Sequence, residues 1–161
     1  TMNIIFFILL TFNFNSEFDY SKGIKKYKKG SYKEAIKYFL EEKKKKRKFK
    51  NFFYLGHSYS LTGDNKNALK MYKYALTTKF KKSIIHFEMG LSYFLLDKSD
   101  EALENLNLAI EYDKNNPQYL INRATIKYDL GLINSACKDW KKASEIDGNS
   151  IDKEIIIINC N

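Results

Sequence analysis

Alanine recurs at an almost constant spacing along the 161-residue chain. The four alanines are Ala35, Ala68, Ala102 and Ala136, which are 33, 34 and 34 residues apart. Four residues after each alanine stands a large side chain, in turn Phe39, Tyr72, Leu106 and Trp140. Twelve residues before each alanine stands a small one, in turn Gly23, Gly56, Gly90 and Ala124. Columns that recur in register indicate a repeat protein, whose repeats stack because none can bury its apolar face alone.

The pattern inside each repeat predicts a pair of helices. Two amphipathic segments of about thirteen residues flank a short turn, and the turn contains Gly30, Gly63, Asp97 or Gly131. Small side chains let two helix backbones approach, and the large side chain fills the gap beside them. We therefore predict an all-α array, with helices over residues 18–29, 32–46, 50–62, 65–78, 83–96, 99–112, 117–130 and 133–146.

The composition agrees with a helical array. One Pro and seven Gly are too few for an all-β domain, which needs a turn roughly every ten residues. We expect a hydrophobic N-terminal segment over residues 1–16, the array over 17–148 and a capping helix over 149–161. The array divides into repeats at about 17–48, 49–82, 83–116 and 117–148.

The closing segment contains four consecutive isoleucines, from Ile155 to Ile158. By propensity alone this run could form a strand. A helix is favoured, because Asn149 and Asp152 can start one and because the end of a solenoid needs an apolar cover.

The second repeat resembles the tetratricopeptide repeat family through Phe52, Leu55, Gly56, Tyr59, Gly63, Ala68, Tyr72 and Ala75. The fourth repeat, which contains Asn122-Arg123-Ala124 and Ala136-Cys137-x-Asp139-Trp140-x-Lys142-Ala143, resembles the closing repeat of a subgroup common in Bacteroidetes-type bacteria. Members of that subgroup end in a short helix and a Cys, as this chain does at Cys160. The resemblance implies a right-handed α-α superhelix of four helix pairs that binds other proteins and carries no catalytic site.

In that family the first helix of each pair lines a concave groove. Positions three before, one after and four after the small-residue column share one helical face. These positions are Tyr20, Ile24 and Tyr27; Phe53, His57 and Ser60; Phe87, Leu91 and Phe94; and Ile121, Thr125 and Tyr128. We expect Phe53, Phe87 and Phe94 to be partly exposed to one continuous groove. Two alternatives are open: the rings complete the core, or residues 4–12 of the chain occupy the groove.

The residue types at these twelve positions restrict the partner. Family members that clamp a terminal carboxylate use Lys, Arg and Asn on this face, and none of these stands at the twelve positions. The expected partner is an apolar or amphipathic polypeptide segment with acidic flanks.

The sequence contains no set of polar residues whose types and spacing indicate an active site. The two histidines, His57 and His86, have no ligand partners at metal-site spacing. The chain has no HExxH, no CxxC and no phosphate-binding glycine loop. We therefore expect no catalytic residue, metal, cofactor or small-molecule substrate, with His86 serving in packing and His57 as a polar groove residue.

The charge is unevenly distributed. Residues 19–82 carry 20 Lys+Arg and 5 Asp+Glu, a net charge of +15, whereas residues 83–161 carry 8 and 13, a net charge of −5. The densest basic run is Lys43, Lys44, Lys45, Lys46, Arg47, Lys48 and Lys50. A solvated run at a helix end accounts for it; the alternative is a basic surface that binds nucleic acid or an anionic membrane.

Residues 1–16 and the two cysteines bear on localisation together. The apolar run from Ile4 to Phe12 has the length of a signal-peptide core and is too short to span a bilayer. We predict export in a Gram-negative bacterium; the alternative is a hydrophobic helix that packs on the array in the cytoplasm. In an oxidising compartment Cys137 and Cys160 would form a disulfide, and in the cytosol they would be two buried small residues.

Overall fold

The computed structural model describes residues 22–44, 50–77 and 81–160. Helices cover 80% of these residues and no strand occurs among them, which confirms the all-α prediction. The helices are α1 over residues 22–28, α2 (Tyr32–Lys44), α3 (Lys50–Leu61), α4 (Asn65–Leu76), α5 (Lys82–Phe94), α6 (Ser99–Tyr112), α7 (Pro117–Asp129), α8 (Ile133–Ile146) and α9 (Lys153–Asn159).

The helix ends follow local sequence signals. Asn116 accepts a hydrogen bond from the Gln118 amide at the start of α7, and Pro117 occupies the first turn, where a missing N–H costs nothing. Asp152 caps α9 in the same way through the Glu154 amide. The closing segment is therefore a helix, and the strand alternative is wrong.

One turn geometry joins the two helices of every pair. In the second turn the Gly63 amide bonds to the Ser60 carbonyl and the Asp64 amide to the Tyr59 carbonyl, and the other three turns repeat both bonds. The residue at the Gly63 position needs a positive φ, which is 74°, 85° and 76° at Gly30, Gly63 and Gly131. Asp97 has the same conformation, with φ 58°. Asp tolerates this region better than most residues do, so the third turn keeps its geometry without glycine.

The small and large columns meet inside the pairs as predicted. A Cβ atom built on Gly23 would lie 2.7 Å from the Phe39 ring, and one on Gly56 would lie 2.9 Å from the Tyr72 ring. The first and second helices therefore approach as closely as glycine permits, and the large side chain of the second helix fills the contact.

The chain divides into two compact units. The N-terminal unit, Thr1–Phe80, contains α1–α4, and the C-terminal unit, Lys81–Asn161, contains α5–α9. In the N-terminal unit α3 packs on both α2 and α4, and in the C-terminal unit each helix packs on the next. The N-terminal core includes Phe39 and Leu55. A C-terminal cluster contains Trp140 and Ile151, and Ile156 of α9 packs against it.

Two fully buried serines at equivalent positions provide a test of this packing. The Ser58 hydroxyl donates to the Tyr54 carbonyl at 2.8 Å, whereas the Ser92 hydroxyl has no hydrogen-bond partner among the described residues. Because an unsatisfied buried hydroxyl is destabilising, Ser92→Ala is expected to raise the free energy of unfolding by about 1 kcal/mol. Urea unfolding measures the change, with Ser58→Ala as the control, which should not stabilise. Equal losses of stability in both variants would contradict the prediction.

Candidate functional site

In the N-terminal unit the predicted groove residues take part in internal packing. Ile24 and Tyr27 of α1 lie partly buried against the core around Phe39. The Tyr27 hydroxyl and Nδ1 of His57 share a hydrogen bond that joins the first and second repeats. Burial lowers the pKa of His57, so the imidazole is neutral at pH 7. Tyr20 lies outside the described residues.

The expected exposure of Phe53 is wrong. Its side chain is only 8% exposed. The ring centroid lies 5.5 Å from that of Tyr54 and 6.0 Å from those of His57 and Tyr72. Aromatic neighbours on α3 and α4 thus enclose the ring, as the alternative of core packing predicts for this position.

In the C-terminal unit the predicted face of α5 remains partly accessible. Phe87, Leu91 and Phe94 are each partly buried and share one face of α5. Phe87 and Phe94 pack with one side on the core cluster of Ala102 and neighbouring residues, and the Phe87 ring centroid lies 4.9 Å from that of Tyr119. The two rings are thus packed on the core and, like Leu91, are still partly exposed to solvent, as the side chains of a binding surface are.

Glu88, which was not predicted from the sequence as a site residue, follows Phe87 on α5 and adds a carboxyl group beside this face. Burial raises the pKa of Glu88 to about 7, so the protonated and charged forms coexist near neutral pH. The only signal in the sequence was an acidic residue inside the apolar segment between Ile84 and Leu96. The group can therefore donate or accept a hydrogen bond next to Phe87 and Leu91.

The predicted groove residues of α7 lie close to the closing helix. Ile121 packs against the cluster that contains Trp140 and Ile151. The Tyr128 hydroxyl donates to Oδ1 of Asn159 at 2.8 Å. Ile121 and Tyr128 therefore help to hold α9, whereas Thr125 is exposed.

Cys137 and Cys160 are joined by a disulfide, with their Cα atoms 5.5 Å apart. The predicted proximity is confirmed. The bond ties the residue that follows α9 to the second turn of α8.

A buried ion-pair network, which the sequence did not predict, links α7 and α8. Arg123 donates to both carboxylate oxygens of Asp139, at 2.8 and 2.6 Å, and Lys127 donates to the same carboxylate at 2.8 Å. Burial raises the pKa of Asp139, but the bonds from Arg123 and Lys127 outweigh it and hold the pKa below its usual value. Arg123 also donates to Asn107 of α6 at 2.6 Å, so the network joins three helices.

His86 packs between the helices of the third pair, as predicted. Its Nδ1 lies 3.0 Å from Oδ1 of Asn105, and its ring stacks on Tyr112 at a centroid distance of 5.7 Å. In the described part of the chain no three His, Cys, Asp or Glu side chains are placed to hold a metal ion. None of the helices in that part is long and apolar enough to cross a bilayer.

The described part of the basic run makes only surface contacts. Lys43 lies over the Tyr74 ring at 5.8 Å, and Lys44 pairs with Glu41 at 2.6 Å. Lys50 begins α3, and Lys45, Lys46, Arg47 and Lys48 lie outside the described residues. A basic binding surface at this run stays a prediction.

Comparison with known proteins supports the repeat assignment. Residues 84–116, which contain most of α5 and all of α6, match the family model described as "Tetratricopeptide repeat". Over 76 residues the chain is 29% identical to the peptidyl-prolyl cis-trans isomerase FKBP42 of Arabidopsis thaliana. The alignment covers 46% of this chain and 21% of that protein, so the chain spans about a fifth of this relative's length.

Solved structures with low sequence identity share the fold. MamA from Desulfovibrio magneticus RS-1 superposes with a TM-score of 0.79 at 17% identity, covering 85% of this chain and 78% of MamA. The first TPR of Spaghetti (RPAP3), bound to the HSP90 peptide SRMEEVD, superposes with a TM-score of 0.59 at 20% identity, covering 63% of this chain and 81% of that one. These superpositions establish the tetratricopeptide-type fold. At such low sequence identity they do not indicate which partner this chain binds.

Proposed function

We propose that this chain is a protein–protein interaction adaptor that binds a polypeptide segment on the first-helix face of the C-terminal unit and carries out no catalysis. The observation that carries the proposal is the face of α5, where Phe87 and Phe94 pack on the core and, like Leu91, remain partly exposed. Peptide binding by a protein of the same fold, the Spaghetti TPR, supports this assignment.

The chemistry of this face favours an apolar or amphipathic segment. Aromatic and aliphatic side chains supply contact area at a low entropic cost, as in other peptide grooves. Acidic flanks on the partner would complement the chain's net charge of +9. A peptide bound through its terminal carboxylate is not expected, because Lys, Arg and Asn are absent from the predicted groove positions.

A double variant tests the proposal. Phe87→Ala with Phe94→Ala removes both rings from α5 and is expected to reduce partner capture from native extract at least about tenfold. The matched control is Tyr74→Ala with Tyr112→Ala, which removes two exposed rings from the second helices α4 and α6. Capture is measured after nuclease treatment and in high salt, and thermal unfolding of each variant separates loss of binding from loss of fold.

The same experiment evaluates the basic surface. If the α5 double variant captures its partner normally, and Lys44→Glu with Lys45→Glu and Lys46→Glu abolishes capture, the α5 proposal fails. A nucleic-acid or anionic-membrane contact through residues 43–50 would then replace it.

Two finer predictions belong to this proposal. The first is that the chain is related to the tetratricopeptide proteins of Bacteroidetes-type bacteria, a relationship that the closing repeat and Cys160 support. Residues 1–16, which lie outside the described residues, direct export to the periplasm or cell envelope of a Gram-negative bacterium. The close approach of Cys137 and Cys160 supports export, since disulfides persist in oxidising compartments.

A further inference from the structure

The closing helix α9 is too short to be stable by itself. It has seven residues, whereas isolated helices shorter than about twelve residues are marginal in water even when their sequence favours a helix. Within the C-terminal unit it packs on α8. Whether α9 is folded therefore depends on how it is attached to the rest of this unit.

The segment that leads into α9 is fixed by contacts of its own. Ile151 is 8% exposed and belongs to the core cluster that contains Trp140. One residue earlier, the Ser150 hydroxyl donates to the Ala143 carbonyl of α8 at 3.0 Å. Neither contact needs a bond between the two sulfur atoms. The chain is therefore held in place as far as Ile151 whether the cysteines are oxidised or reduced.

Beyond Ile151 the noncovalent attachment of α9 is slight. Ile156 packs against the Trp140 cluster, and the Tyr128 hydroxyl donates to Oδ1 of Asn159 at an exposed position. The other isoleucines of the helix are exposed to solvent; these are Ile155, Ile157 and Ile158, at 40%, 60% and 75%. Little apolar area is thus removed from water, whereas every residue that is ordered loses conformational entropy.

The disulfide attaches the far end of α9. Cys160 directly follows the helix and is bonded to Cys137 in the second turn of α8. Cys137 is only 8% exposed, whereas Cys160 is partly exposed, so Cys160 is the more accessible of the two to a thiol in solution. A weakly held helix is therefore fixed at its end by a bond that a reductant can break.

We propose that the bond between Cys137 and Cys160 is a redox switch, and that its reduction by a dithiol releases α9 while the rest of the C-terminal unit stays folded. A thiolate of the dithiol attacks Sγ of Cys160 and forms a mixed disulfide, and the Cys137 thiolate leaves and takes up a proton. The second thiol of the dithiol then displaces the Cys160 thiolate, which is protonated in turn. The dithiol supplies two electrons and two protons and leaves as a disulfide.

Release of α9 changes the surface of the fourth helix pair. Ile156 and Cys160 leave the cluster that contains Trp140, so this cluster becomes accessible to water. Tyr128, which is one of the predicted groove positions of α7, loses its hydrogen bond to Asn159. The switch thus alters the first-helix face next to the closing helix, but it does not depend on peptide binding at α5.

The anchored segment makes the switch reversible. Cys160 is nine residues from Ile151, which stays buried in the reduced protein. This short connection keeps the Cys160 thiol at a high effective concentration near Cys137. An oxidant can therefore re-form the same bond and return α9 to its place on α8.

Hydrogen exchange of the full chain, measured by mass spectrometry with and without dithiothreitol, tests the proposal. After reduction the amides of residues 156–160 are expected to exchange at least about tenfold faster, because α9 is no longer held in its helical state. The amides of α6 serve as the internal control and should exchange at an unchanged rate. Trp140 is the single tryptophan of the chain, and its fluorescence emission should move to longer wavelength as the cluster becomes accessible to water.

Cys160→Ser separates the bond from the reagent. Without dithiothreitol this variant should exchange like the reduced wild type, and adding the reagent should change nothing. In the wild type, removal of the reagent and reoxidation should restore the slow exchange of α9. Equal exchange of α9 in the oxidised and reduced wild type would overturn the proposal. Faster exchange in α6 as well would also overturn it, since the bond would then support the whole unit.

Discussion

Gly90→Leu is expected to lower the free energy of unfolding of the C-terminal unit by about 3 kcal/mol. A Cβ atom at this position would lie 2.9 Å from Cγ of Leu106 and 3.1 Å from the carbonyl oxygen of Ala102. Leu106 is fully buried and the carbonyl belongs to the backbone of α6, so neither can move away cheaply. The larger side chain therefore forces α5 and α6 apart.

Gly148→Leu is the matched control for this prediction. Apart from its chain neighbours, no atom of the described residues lies within 4 Å of a Cβ built on Gly148, which lies in the segment between α8 and α9. Urea unfolding followed by circular dichroism measures both variants. If the two variants unfold at the same urea concentration, close packing at Gly90 does not determine the stability of the α5–α6 helix pair.

The second large effect is expected at Asp139. Asp139→Ala should lower the free energy of unfolding by about 3 kcal/mol, because it leaves the buried charges of Arg123 and Lys127 without their carboxylate. The two basic side chains are only 18% and 15% exposed, so water compensates poorly. Asp129→Ala, at an exposed carboxylate of α7, is the control and should change stability little.

The contribution of Asp139 also depends on pH. Its pKa is lowered in the folded state, so its stabilisation is present above the unfolded value near 3.8 and is lost as the pH falls through the folded value. The difference in thermal stability between the wild type and Asp139→Asn should therefore be constant near neutral pH and should narrow in acid. If the difference in thermal stability between the two proteins stays the same down to the most acidic pH, the ion pairs of Asp139 contribute nothing to stability.

The helices and turns could be predicted from the sequence because local signals determine them. The predicted bounds 99–112 and 133–146 match α6 and α8 at both ends. The proximity of Cys137 and Cys160 also followed from the sequence, since a closing helix has to cover the fourth pair.

Contacts between side chains from different helices could be predicted only in part. Helical periodicity assigned Phe53 to a face, but it could not show that Tyr54, His57 and Tyr72 enclose the ring. The pairing of Arg123 with Asp139 depends on how α7 and α8 are rotated about their axes, and one sequence does not define that rotation. Glu88 was missed for a similar reason, because its pKa depends on burial by neighbouring side chains.

The disulfide between Cys137 and Cys160 gives the chain a mechanical property. Tension applied beyond Cys160 passes through the sulfur atoms directly into α8, so α9 carries no load. The cysteines are 23 positions apart, and an extended chain spans about 3.5 Å per residue. While the disulfide is intact, roughly 80 Å of contour length therefore cannot be extended by the pulling force. An unfoldase that pulls on the chain beyond Cys160 must therefore unfold the fourth helix pair first. It then has to translocate α9 as a disulfide-closed loop rather than as a single extended strand.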